Sequence, residues 1–166
     1  MFSLKNLHLT IHRNEEVTLL LFSILLFLTP IVISTQFVVG IIVNALLISI
    51  SLNQTSKLKY ILGCIPSLAV VSTGFLFGGL TPFILIMIPF IIISNVVLMF
   101  LIKRTNNYFN SSISAIIAKT LILSTTIFIL FNLSIIPLAL VPVFSSFQLI
   151  TAFGGALTIG FLKYKG

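Results

Sequence analysis

Among the few polar side chains set inside apolar stretches of this chain, six could do chemistry: Gln36, Asn44, Asn95, Lys119, Ser124 and Gln148. None of them forms a nucleophile–base pair, a carboxylate couple or a metal-ligand cluster. Their chemistry is recognition: amides offer donors and acceptors, a hydroxyl offers both, and an ammonium donates three hydrogen bonds. An amide buried in hydrocarbon without a partner costs several kcal/mol, so each should face another helix or a shared cavity. Asn44 and Asn95 fall near the middle of their runs, Gln36 and Gln148 near run ends, and Ser124 heads the trio Ser124-Thr125-Thr126. Two readings are open: hydrogen bonds between helices, or convergence on one small-molecule pocket. The Ser/Thr trio weighs least, because hydroxyls can bond the carbonyl one turn back.

Lys119 is the sharpest signal. It lies about six residues into its apolar run, roughly 9 Å from the nearer end at 1.5 Å per residue. Either it snorkels back to the interface along its stem, or it faces the bundle core and holds an anionic group or backbone carbonyls. The apolar runs contain no Asp or Glu to neutralise it, because the two acidic residues are Glu15 and Glu16. Their absence there also argues against a proton-coupled pump working alone. His8 and His12 stand four apart, a metal-compatible spacing on a helix, but two ligands do not make a site, so no metal is expected. The lone Cys64 excludes a disulfide within the chain and an iron–sulfur cluster held by this chain's own thiolates. With no phosphate loop, nucleophile elbow or carboxylate dyad, neither an enzyme nor a resident cofactor is expected.

The elements that must position these residues are set by composition and charge. Mean hydropathy is +1.28, with 58% hydrophobic and 7% charged residues, far from the roughly 25% charged of soluble domains. The charged residues behind the net charge of +7 come, Lys119 excepted, in clusters: the first 16 residues, Lys57/Lys59, Lys103/Arg104 and Lys163/Lys165. Basic pairs at helix ends mark cytoplasmic loops and attraction to anionic headgroups, not nucleic-acid binding. The predicted architecture is an all-α integral membrane protein of six transmembrane helices, with N- and C-termini cytoplasmic, in a multi-pass plasma-membrane topology. Residues 1–16 form a cytoplasmic or interfacial segment, with 2–12 as a short interfacial helix, and 17–163 form the six-helix membrane domain. A span needs about 20 apolar residues. The run Val17–Leu52 therefore holds two, turning at Pro30 and Ser34-Thr35-Gln36. The rest fall at 60–78, about 83–102, about 113–133 and about 145–162.

Small residues mark expected helix contacts: Gly74 and Gly78 as GxxxG, Ala152/Ala156/Gly160, and Ser114/Ala118. VVGIIVNALLI and FIIISNVVLMF share a faint likeness that aligns Asn44 with Asn95.

The segments TQFVVGIIVNALL, GCIPSLAVVSTG, TPFILIMIPFIIISN, AKTLILSTT and FQLITAFGG, in this order over about residues 28–162, resemble a family of small prokaryotic membrane proteins. That family is similar to the substrate-binding S components of energy-coupling factor (ECF) vitamin transporters, and some relatives carry the label "iron hydrogenase". The resemblance implies a six-helix bundle that captures a vitamin-like or metal-ion solute from outside. Delivery would run through a transmembrane coupling protein and two ATPase subunits. Carried over by position, Gln36, Asn44, Pro66, Ser67, Pro89, Asn95, Lys119, Ser124 and Gln148 are the matching residues. Span one departs from the pattern: S components dock through small residues there, and this chain has Thr18 and Ser23 as its small polar positions. One cysteine and two histidines outside the spans give the hydrogenase label no chemistry. The expected function is a membrane-embedded substrate-binding subunit for a small solute. The alternative is a structural or assembly subunit of a larger membrane complex.

Overall fold

The computed structural model describes residues 4–74, 76–104 and 107–165, the side chains of 4–14 and 165 excepted. The face of the 2–12 segment and the side chains of His8 and His12 thus lie outside the described residues. Helix α1 covers Leu4–Val32 and α2 Gln36–Asn53; α3 is the short Ile65–Thr73. Two long helices follow, α4 (Thr81–Leu101) and α5 (Tyr108–Asn132), then the single turn α6 (Val141–Phe144) and α7 (Ser146–Lys165). There is no strand among the described residues. Five helical segments are long and apolar enough to cross a membrane: Glu15–Val32, Gln36–Asn53, Gly78–Leu101, Tyr108–Asn132 and Leu138–Tyr164.

The segment expected as the third span, at 60–78, is divided between two kinds of helix. A 3-10 stretch runs Lys57–Cys64 before α3 begins. Pro66 explains the change of winding: with no N–H it cannot close the α-type bond to Leu62 O. That carbonyl instead accepts from Ile65 N. At the other end α3 stops at Gly74, which adopts φ 64, and Gly78 follows at φ 52. This corrects the GxxxG expectation. Both glycines sit in left-handed backbone that side chains resist, and nothing lies within 4 Å of a Cβ placed on Gly78. Gly78→Ala should therefore cost about 1 kcal/mol through backbone conformation alone, read as a lower melting temperature in detergent.

Basic residues also finish helices locally. Lys59, only 3% exposed, donates from Nζ to Ser51 O (3.2 Å) and Gln54 O (2.8 Å) at the end of α2. Those last carbonyls have no partner within the helix, and a lysine supplies one.

Helices α2 and α7 pair closely, as do α4 with α5 and α1 with α3. The α2–α7 contact is where small residues matter. A Cβ on Gly155 would meet Ala45 N at 2.7 Å, and one on Gly40 would meet Thr151 Cγ2 at 2.8 Å. In lipid such packing, not water exclusion, holds helices together. Ala152 and Ala156 are buried as expected. The Ser114/Ala118 ladder is displaced: the buried stripe of α5 runs Ser111, Ser112, Ala115, Ile116, Lys119, Leu123 and Ile127, while Ser114 is exposed.

Two apolar cores result. One gathers Leu26, Leu47, Ile48, Leu98, Met99, Ala115 and Ala152. The other gathers Val70, Ile84, Met87, Leu123, Ile127 and the connection residues Ile136, Leu140 and Phe144. The 133–145 connection is thus partly core, with Pro137 extended and Pro142 in the first turn of α6. Leucines and phenylalanines such as Leu20, Leu21, Phe100, Leu121 and Phe128 stay exposed around the bundle, an outer surface compatible with lipid contact.

Candidate binding site

Lys119 does not snorkel. It belongs to the buried stripe of α5 and is 3% exposed. Its Nζ donates to Asn44 Oδ1 at 2.6 Å and to Asn95 Oδ1 at 2.8 Å. An ammonium has no acceptor, so both asparagines must turn their oxygens inward and their NH2 groups away. Asn44 Nδ2 accordingly donates to Gly40 O at 2.8 Å, with a long contact to Thr151 Oγ1 at 3.5 Å. Asn95 Nδ2 donates to Gly63 O at 2.8 Å. Gly63 lies in the 3-10 stretch, where altered winding presents its carbonyl to α4. One lysine thereby ties α2, α4, α5 and the Lys57–Cys64 segment together. The charge-assisted bonds are the stronger kind, in a region where an unpaired polar group would be costly.

Where the two apolar cores meet there is a cavity of about 100 Å³. Gln36, Asn44, Asn95, Lys119 and Gln148 all line it. Asn44, Asn95 and Lys119 are buried, whereas Gln36 and Gln148 are half-buried at the starts of α2 and α7. Pro66 and Ser67 line the wall beside them, the Ser67 hydroxyl donating to Cys64 O at 2.8 Å. Phe77 and Phe144, also in the lining, stack with centroids 6.5 Å apart and planes 10° from parallel. Ser124 is not brought to this cavity. Five residues past Lys119, it points about 140° round the helix at 100° per residue. Asn132, in the last turn of α5, is exposed and donates to Phe128 O.

Four contributors were missed from sequence. The Gly40 and Gly63 carbonyls carry no side-chain signal. Phe144 was assigned to a connection, though its run LALVPVF is apolar enough to be core. Thr151 sits on the α7 face already marked by Ala152 and could have been read from it. The faint likeness around Asn44 and Asn95 has a physical counterpart, since both amides meet the same ammonium.

An ammonium with two of its three N–H bonds committed, at the wall of a small cavity with apolar sides and two glutamines, can receive one more acceptor. It can hold a carboxylate, phosphate or carbonyl oxygen while valines and phenylalanines cover the rest of a solute. Among the described residues no cluster of three or more His, Cys, Asp or Glu could hold a metal ion. No family model, curated protein or solved structure matches the chain.

Proposed function

We propose that the chain is a membrane-embedded substrate-binding subunit of S-component type for uptake of a small solute bearing an anionic or acceptor-rich group. The observation that carries this reading is the convergence of five polar residues from α2, α4, α5 and α7 on one cavity with Lys119 in its wall. An ammonium there favours an acceptor over a metal cation, because like charges repel. A cavity of about 100 Å³ is below the roughly 300 Å³ at which drug-sized pockets begin, so the solute is small or the site widens to admit it.

In this proposal the chain crosses the plasma membrane six times with both termini cytoplasmic. The divided third segment is long enough: eight residues of 3-10 helix and nine of α-helix rise about 30 Å together, the thickness of the hydrocarbon core. Basic pairs then fall on the cytoplasmic side, and Gln36 and Gln148 mark the end of the cavity nearer the outside. Energy for delivery would come from a transmembrane coupling protein and ATPase subunits.

A second reading is favoured by one observation: both asparagine amides are satisfied within the protein. Lys119 would then be a clamp in a structural subunit of a larger membrane complex. Native mass spectrometry of the protein gently extracted from its own membrane separates the two. A small molecule released from the subunit is expected. An empty chain that co-purifies stoichiometrically with larger membrane subunits would move the assignment to the structural role. Gln148→Leu should abolish retention of that molecule and shift the melting temperature little, since Gln148 is half-buried. Unchanged retention would remove Gln148 from the site.

A further inference from the structure

Lys119 brings one positive charge to a cavity that holds no negative one. Two of its N–H bonds go to Asn44 Oδ1 and Asn95 Oδ1, and the third is uncommitted among the described residues. The chain's acidic residues, Glu15 and Glu16, lie in α1, and no Asp or Glu lines the cavity. Both asparagines turn their NH2 groups away, to the carbonyls of Gly40 and Gly63, and the Ser67 hydroxyl proton goes to Cys64 O. The buried end therefore presents a single charged donor, while Gln36 and Gln148 add neutral amides at the other.

Between these ends the walls are apolar, Val39, Val43, Val70 and Ile84 among them. Size narrows the choice of occupant further. An apolar cavity of about 150 Å³ holds benzene. A cavity of about 100 Å³, filled to the same density, takes roughly four to six non-hydrogen atoms.

We propose that the occupant is a short-chain monocarboxylate of about three or four carbons, its carboxylate on Lys119 and its hydrocarbon against the valines. The assignment rests on the solute-binding reading and narrows it to one chemical class. One carboxylate oxygen takes the remaining N–H, and a single negative charge neutralises the ammonium where unpaired charge is most costly. A phosphate ester carries nearly two charges at neutral pH and more acceptor oxygens than one ammonium N–H can serve. An amino acid would set a second ammonium in a cavity without a carboxylate. A neutral amide accepts the same hydrogen bond but leaves the charge of Lys119 uncompensated.

The test is equilibrium dialysis of radiolabelled butyrate against detergent-purified protein, with unlabelled competitors. Unlabelled butyrate should compete about tenfold better than butyramide, the margin between a hydrogen bond to a charged group and one between neutral groups. Alanine, which adds an ammonium, and propyl phosphate, which adds a second charge, should compete more weakly than butyrate. Hexanoate, although more hydrophobic, should compete no better. Lys119→Met combined with Asn44→Leu and Asn95→Leu should abolish the preference for butyrate over butyramide. Equal competition by butyrate and butyramide in the wild type would overturn the proposal. So would stronger competition by alanine, propyl phosphate or hexanoate, or a preference that survives in the triple variant. Absence of butyrate binding overturns it as well, and native mass spectrometry then shows what failed. A different small molecule released from the chain leaves the binding reading standing, whereas an empty chain held by larger membrane subunits removes both.

Discussion

Lys119→Met should destabilise the bundle by about 2–5 kcal/mol, because it strips donors from two buried amide oxygens at once and each such orphan costs roughly 1–3 kcal/mol. Asn44 Oδ1 and Asn95 Oδ1 are the groups stranded. Asn44 is 1% and Asn95 2% exposed, so little lipid-boundary water can reach them. Removing the ammonium relieves its own burial cost, which limits the loss. Lys119→Met combined with Asn44→Leu and Asn95→Leu should therefore recover most of it, since a whole polar group replaced by apolar residues of similar volume is often neutral. Thermal melting in one detergent checks both halves. A single variant that melts like wild type, or a triple variant no better than the single, would mean the three residues do not act as a unit. If the solute's acceptor meets Lys119, retention of the solute should be lost in both variants, whichever way stability moves.

Gly155→Ala should be nearly as damaging despite adding one methyl group. Its Cβ would stand 2.7 Å from Ala45 N, 2.8 Å from Asn44 Cβ and 3.0 Å from Asn44 C. Two of those atoms are backbone and cannot rotate aside, so α7 must draw back from α2. Overpacking of this kind costs about 1–3 kcal/mol, and the displaced α2 carries Asn44 with it. The expected outcome is a loss of about 3 kcal/mol together with weakened solute retention. Gly40→Ala should cost less, since it meets only the Thr151 side chain. Gly79→Ala, with nothing within 4 Å, should stay within about 0.5 kcal/mol of wild type. Equal melting of the Gly155 and Gly79 variants would refute the close α2–α7 approach.

Much of this architecture was legible because lipid makes polar residues informative. Clusters Lys57/Lys59, Lys103/Arg104 and Lys163/Lys165 fall at helix ends, where charge must lie. Asn44, Asn95 and Lys119 were singled out for cost alone, and cost brought them together. The division of the 60–78 segment was not legible because hydropathy does not sense winding: Pro66 changes the hydrogen-bond pattern upstream of itself without changing composition. Gly74 and Gly78 were misread for a related reason. Four-residue spacing of glycines is the same in a packed helix face and in two successive left-handed turns, and only backbone angles separate them. Ser124 failed through phase: Lys119 fixes which side of α5 is interior, and five residues is a poor multiple of 3.6.

Two rotatable amides can ordinarily be set in four combinations of oxygen and nitrogen. A lysine between them, able only to donate, leaves one. Hydrogen bonds in the Asn44–Lys119–Asn95 array therefore all point outward from a single source, toward the carbonyls of Gly40 and Gly63. The array is non-degenerate: it has no mirror arrangement to flicker into. On the solute-binding proposal, a solute entering the cavity would meet a fixed electrostatic pattern and need not select one orientation of the amides from several. Should the ammonium be replaced by a group that can also accept, that uniqueness would vanish, and the same two asparagines would become alternately donor and acceptor to whatever lay between them.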